Sequence, residues 1–402
     1  MIEYAFRGSL KYWAWITVLL ALSSLALLMF ILQQREGLGI TAMSRDVPWG
    51  FYIAQLTFLV GVAASAVMVV LPYYLHDFKA FGRVVILGEF LAIPAVLLCP
   101  LFVAVDLGQP LRVLNLFLHP SPRSLLFWDT IALLGYLLLN IVIGWKTLAA
   151  ERSQVAPPKW VRLLILVSIP WAVSIHTVTA FLYCGLSARP FWFTAVLTPR
   201  FLASAFASGP SLLILLCFIV RRFAGFDPGE RAIKTLARIV TYALSINLFL
   251  FGTELFTTMY SGQEHHILHL RYLFTRVDGV LSPVVPFMWA SMIMAVAALF
   301  LLLFPSSRKR NSALITACVL VFLSIWIDKG AGMLSGGFTP TTFGRYAPYF
   351  PSVVEVLLGI GLYSFGALVL TVLYKMAITI KTASGPNNTV SSSAASGEVA
   401  AQ

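Results

Sequence analysis

Ten apolar stretches dominate the chain, at residues 13–32, 50–75, 84–105, 124–145, 162–182, 200–220, 236–258, 283–304, 312–327 and 353–376. Most approach the ~20 residues a helix needs to cross about 30 Å of hydrocarbon. Without water, a helix satisfies its backbone hydrogen bonds within one segment, and no stretch shows the alternation of a membrane barrel. The expected fold class is an all-α polytopic membrane protein with about ten transmembrane helices. With 59% hydrophobic and 11% charged residues, the chain has too little polar surface for a soluble fold, and no separate soluble domain stands out. Residues 1–381 are expected to form a single integral membrane domain. Residues 382–402, rich in Ser, Ala, Gly and Asn without an apolar pattern, are expected to be a disordered tail. The first stretch lacks a small-residue cleavage site and reads as an uncleaved anchor.

Of the 28 Lys and Arg, 18 fall on the side that holds both termini. The positive-inside rule then predicts both termini in the cytoplasm and the chain in the inner (cytoplasmic) membrane. That bias also explains the +12 net charge without a nucleic-acid partner. Cys99, Cys184, Cys217 and Cys318 lie on different helices with no C-x-x-C pair, which argues against iron–sulfur or zinc ligation. His76, His119, His265, His266 and His269 fall in loops or at helix ends, and only His176 lies within a helix. A transmembrane bis-histidine haem needs two such ligands, so no haem or cluster of the chain's own is expected.

Ionisable groups inside spanning segments are costly and tend to face a cavity or a partner. Asp106 ends helix 3, Asp129 lies near the start of helix 4, His176 about two turns from the end of helix 5, Glu254 near the end of helix 7, and Asp328 closes helix 9. All five lie toward the expected outer end, whereas Glu89 lies toward the cytoplasmic end and Asn140 and Asn247 lie midway. Each has a plain reading: interface acids for Asp106 and Asp328, a helix-dipole acid for Asp129, a packed imidazole for His176, an ion pair for Glu254 or Glu89, interhelical hydrogen bonds for the asparagines. Their convergence at one depth favours a site. Carboxylates and an imidazole suit a quinone, whose oxygens need donors when oxidised and a base when the quinol loses protons. Spacing alone leaves a proton- or cation-coupled transporter open. The outer connections 107–123, 183–199, 259–282 and 329–352 are long, lightly charged and rich in Pro, Gly and aromatics, as partner-docking surfaces often are.

Several runs carry a resemblance. Pro48-Trp49-Gly50-Phe51-Tyr52 leads into helix 2, where Gly61, Ala64 and Ser65 follow. Asp106-Leu107-Gly108-Gln109-Pro110-Leu111-Arg112 follows helix 3, and Pro120-Ser121-Pro122-Arg123-Ser124 with Trp128 opens helix 4. Ile175-His176-Thr177-Val178 lies in helix 5, and Asp328-Lys329-Gly330 precedes Gly336-Gly337-Phe338-Thr339-Pro340. In this order they resemble the NrfD/PsrC-like family of polysulfide-reductase-type membrane subunits, and the last pair is similar in particular to its DsrP-type branch from sulfite-reduction-associated complexes. The resemblance covers nearly the whole chain except the tail.

The resemblance implies two four-helix bundles, helices 2–5 (about 50–182) and 6–9 (about 200–327), related as inverted repeats and flanked by helices 1 and 10. It implies menaquinone or its quinol as substrate in the first bundle, with Asp106, Arg112, Trp128 and His176 at the binding site. It also implies a periplasmic ferredoxin-like iron–sulfur subunit, a multihaem cytochrome c and further membrane subunits as partners, in anaerobic respiration on sulfur compounds. The chain departs from the family pattern at Asp129, where many relatives carry Gly, and at Leu182, where some carry Asp. The expected function is a quinone-reactive subunit of a respiratory oxidoreductase, with His176 and Asp129 exchanging protons with the quinone. Glu89, Glu254, Asn140 and Asn247 are candidates for a proton path. The rivals are a structural anchor for a redox complex and a secondary transporter. Inverted repeats suit a transporter equally, but no pair of helices is visibly interrupted in midspan.

Overall fold

A computed structural model of the chain describes residues 2–277, 279–341 and 346–383. Among them, ten helices are long and apolar enough to cross a membrane: α1 (Leu10–Glu36), α2 (Phe51–Leu75), α3 (Val85–Asp106), α4 (Leu125–Arg152), α5 (Lys159–Cys184), α6 (Leu197–Ala224), α7 (Glu230–Ser261), α8 (Val285–Leu303), α9 (Asn311–Gly337) and α10 (Val353–Ala383). The protein is a multi-pass, all-α membrane protein. The chain crosses ten times, so the start of α1 and the end of α10 share one end of the bundle, the near end; Phe51, Asp106 and Cys184 mark the far end. Thr382 and Ala383 of the expected tail continue α10, and the rest of that tail lies outside the described residues.

Helices α2 to α5 pack around one another, as do α6 to α9, while α10 lies against α3 and α1 packs on α10. The two sets join where α2 meets α6 and α9 and where α5 meets α6. Small residues make that joint. A Cβ on Gly61 would lie 3.5 Å from Cα of Ala205, and one on Gly209 would lie 2.9 Å from the backbone nitrogen of Ser65. Lipid supplies no hydrophobic drive between helices, so association rests on such close backbone packing. The register, 61 beside 205 and 65 beside 209, also shows that α2 and α6 run parallel. This corrects the expected inverted relation: four crossings return the chain to its starting side, so a second set of four begins in the same direction.

Two spans depart from a regular α-helix. α2 breaks at residues 64–66 between Phe51–Ala63 and Val67–Leu75. α9, expected to end at residue 327, continues through a π-helical stretch, Trp326–Gly332, and a last α turn, Met333–Gly337. Its glycine-rich sequence has low helix propensity, but the turns are buried. Gly330 packs on Ala54 of α2, and Gly337 leaves no room for a Cβ against the Trp192 ring. Tertiary packing thus draws Asp328 and Lys329 into the membrane layer. On the periphery, Trp15, Leu20, Leu27 and Leu28 of α1 stay exposed, as suits side chains facing acyl chains.

Gly209→Val would press two methyl groups into the α2 backbone, and overpacking of this kind costs about 1–3 kcal/mol. A thermal melt of the detergent-solubilised protein is expected to show a lower midpoint for Gly209→Val than for Gly252→Val, whose position has nothing within 4 Å.

Candidate functional site

On α5, spacings of three and four residues put His176, Thr179 and Tyr183 on one face, turned toward α2, α4 and α6. Thr179 Oγ1 lies 2.6 Å from Asp129 Oδ1 and 2.7 Å from the Ile175 carbonyl, so its one proton is shared between helices α4 and α5. The Tyr183 hydroxyl hydrogen-bonds Thr57 of α2. His176 Nδ1 sits 2.7 Å from the Ala172 carbonyl, an acceptor only, so this nitrogen carries the hydrogen. Nε2 is then a free acceptor, and it is buried with no hydrogen-bond partner. Trp171, donating to the Ala132 carbonyl at 2.8 Å, fixes α5 against α4 nearby. His176 and Asp129 are therefore brought into one buried polar strip, at 1% and 3% exposure.

Other expected site residues stand apart. Arg112 is exposed on the 3-10 turn Pro110–Leu114, and Trp128 is exposed with its indole N–H donated to the Pro122 carbonyl at 2.8 Å. Asp106 ends α3 half-buried, with Oδ1 unpartnered and the Gly50 N–H facing its carboxylate. Asn140 turns back on its own helix, donating to the Tyr136 carbonyl at 2.8 Å. Glu89 is fully buried toward the near end with neither carboxylate oxygen partnered. The four cysteines are free thiols.

Beside Asp106 lies a carboxylate that the sequence does not single out. Glu355, at the start of α10, accepts from the backbone N–H of Ala42 (2.9 Å) and Ser352 (2.7 Å) and from the Tyr349 hydroxyl (2.6 Å). Tyr349 in turn accepts the Phe51 N–H at 2.5 Å. Burial, then the Glu355 carboxylate, hold the Tyr349 phenol well above its usual range, so it remains a donor. Gly50 is required here: a Cβ would lie 2.6 Å from the Tyr349 oxygen.

In the second set, Arg200 of α6 is buried between two acids. Its guanidinium reaches Glu254 Oε2 at 2.9 Å and both Asp328 oxygens at 2.8 Å. At the edge of an apolar run, where a basic residue reads as a loop charge, Arg200 gave no sign of this role. An adjoining cleft, lined by Arg200, Phe201, Asn247, Asp328, Lys329 and Met333 among others, encloses about 20 Å³, room for about one water. Asn247 Oδ1 is buried and unpartnered there. Glu254 and Asn247 thus share a site, separate from Glu89 and Asn140.

Comparison with known proteins decides the family. Residues 39–328 match the family described as polysulphide reductase, NrfD. The chain belongs to the NrfD family. A putative dimethyl sulfoxide reductase membrane subunit of Halobacterium salinarum is 26% identical over 88% of this chain and 88% of its own length. A selenate reductase subunit of Mesobacillus selenatarsenatis is 25% identical over 62% of this chain and 66% of its own length. The Hdr-like menaquinol oxidoreductase integral membrane subunit of Archaeoglobus fulgidus is 22% identical over 92% and 93%. NrfD relatives so named are subunits of oxidoreductases.

Removing the cation from a buried ion pair leaves uncompensated charge, at a cost of about 3–5 kcal/mol. Arg200→Met is therefore expected to reduce sharply the yield of monodisperse protein on size exclusion in detergent. Glu254→Gln, which keeps Arg200 paired with Asp328, is expected to leave most of it.

Proposed function

We propose that this NrfD-family chain is the quinone-reactive integral membrane subunit of a multi-subunit respiratory oxidoreductase, exchanging electrons between a menaquinone-type quinone and an iron–sulfur or cytochrome partner. The observation that carries the reading is the bare Nε2 of His176, buried beside the Asp129–Thr179 pair. A quinol oxygen meeting Nε2 gives up a proton to it, and Asp129 is the second acceptor within the same strip. When quinone is reduced, the same two groups return protons. At 1% exposure His176 is covered, so the head group reaches it only as neighbouring side chains such as Phe206 shift. In this reading Asp106, at the far end beside Glu355, and the exposed Arg112 and Trp128 guide the head group toward the strip.

The far end is the outer, periplasmic side in this reading, supported by the charge bias of the loops. Burial of Lys329 and Arg200 strengthens that bias, because it removes two basic residues from the outer loops. A ferredoxin-like iron–sulfur subunit, and beyond it a multihaem cytochrome c, dock on the far-end loops. The motif that closes α9, Asp328-Lys329-Gly330 with Gly336-Gly337-Phe338-Thr339-Pro340, supports sulfur-compound respiration as the setting. Glu89, Asn140, Asn247 and Glu254 are the groups that a proton path would use. The relatives, named as subunits of a dimethyl sulfoxide reductase, a selenate reductase and a menaquinol oxidoreductase, support this reading over a secondary transporter.

The test is made on the complex copurified with this chain, by oxidation of a menaquinol analogue. His176→Ala and Asp129→Asn are each expected to slow turnover about 10²-fold or more while the complex stays assembled. Turnover equal to wild type in both assembled variants would leave the chain a structural anchor.

A further inference from the structure

The joint between the two sets holds a buried cation that the quinone chemistry above does not use. Lys329 is 4% exposed, and among the described residues its ammonium forms no ion pair. Its one hydrogen bond is a long one, 3.3 Å to the Phe201 carbonyl, and it lies 4.3 Å over the Phe201 ring. An ammonium has three donors, so two are unused in a layer where unpaired polar groups are costly. The neighbouring Asp328 does not serve it, being turned to Arg200. Successive residues of a helix face different ways, so Asp328 meets Arg200 while Lys329 points into the seam between Phe201 of α6 and Gly61 of α2.

Around Lys329 the unpaired atoms form a series. The space over Gly61 is shared by Lys329 Nζ, 3.3 Å from a Cβ built there, and by Ser208 Oγ at 3.4 Å. Ser208 Oγ and Ser65 Oγ, on the facing stretches of α6 and α2, are both buried without partners. Two residues before Ser208, the Phe206 ring lies 6.5 Å from the His176 ring, whose Nε2 is also unpaired. On the other side, Lys329 lines the cleft with Arg200, Asp328 and the unpaired Asn247 Oδ1. Buried polar atoms left without protein partners are where ordered water bridges. The series therefore runs from the imidazole of the first set, across the joint, to the ion cluster of the second.

We propose that Lys329 is a proton relay between the two sets, carrying protons between the His176 strip and the Arg200–Glu254–Asp328 cluster through water held by Ser65, Ser208 and Asn247. In one cycle an N–H bond of the Lys329 ammonium breaks and its proton passes through the cleft water to an Asp328 or Glu254 carboxylate, which then releases it to solvent, to which both acids are partly exposed. The resulting amine takes a proton released from His176 Nε2, which restores the ammonium and the bare imidazole. No electrons move in these steps. The inference rests on the quinone-reactive reading of His176 and assigns the protons' next acceptor.

Lys329→Gln keeps a hydrogen-bond donor of similar reach but cannot relay a proton, and Lys329→Ala leaves a space that methylamine fits. In the assembled complex, Lys329→Gln is expected to slow menaquinol-analogue turnover about tenfold or more, with its KM unchanged. Lys329→Ala is expected to be slowed as much and to regain turnover as methylamine is added, but not with tetramethylammonium, which carries no proton. Assembled Lys329→Gln within twofold of wild type, or Lys329→Ala without methylamine rescue, overturns the relay while leaving the quinone reading intact. Absence of quinol turnover in the wild-type complex itself would instead remove the quinone reading.

Discussion

The approach of α2 to α6 at Gly61 and Gly209 is the contact on which the rest of the molecule depends. In hydrocarbon, two helices gain little from being apolar, so they hold together where small residues let their backbones touch. Here the touch is between parallel helices that each open a set of four, and it brings the inner faces of both sets to one seam. The same missing side chain at Gly61 leaves the space in which Lys329 and Ser208 meet. Larger residues would separate the sets and fill the seam at once, so assembly and interior polarity share one cause.

The two sets treat their polar groups in opposite ways. In the second, Arg200 closes on Glu254 and Asp328, and the charges largely neutralise one another. Such a cluster is costly to form and costlier to break, which suits a fixed element. In the first, among the described residues no cation pairs with Asp129, whose partner is a threonine hydroxyl, and His176 keeps a bare nitrogen. Unpaired groups exchange protons most readily, whereas an acid of the second set takes one only by loosening its bond to Arg200. Lys329 sits between these regimes, adjacent in sequence to the closed cluster yet itself unpaired.

Hydropathy alone gave the ten spans, because length and composition decide whether a segment can cross, and those features are local. His176 and Asp129 were legible for the same reason: each is a polar residue within an apolar run, and counting residues from the helix end gives its depth. The other half of the site was hidden by the same logic. Arg200 and Lys329 lie at the edges of apolar runs, where a basic residue reads as a loop charge, and only packing of glycine-rich turns against α2 and Trp192 carries α9 past residue 327. The break in α2 falls in Ala64-Ser65-Ala66, which no helix-breaking residue announces. Glu355 sits two residues into α10, where an acid also suits a helix N-terminus; two of its donors, Tyr349 and Ser352, are local, and only Ala42 comes from a segment distant in sequence.

The far end shows why the open polar atoms lie inside rather than at the surface. Irregular backbone at the membrane boundary must satisfy its N–H groups within the protein. Glu355 does this for Ala42 and Ser352 directly and for Phe51 through Tyr349, so one buried carboxylate ties the entry to α2 to the entry to α10. Gln33 adds α1 and α3 to the tie, donating to the Val105 carbonyl at 2.6 Å and accepting from Tyr52 at 2.7 Å. Four helix ends are thereby fixed with most of their polar groups used, Asp106 Oδ1 excepted. A fixed rim of this kind offers a docking partner a constant shape. In the proposed reading, proton exchange then falls to His176, Asp129 and Lys329 below it.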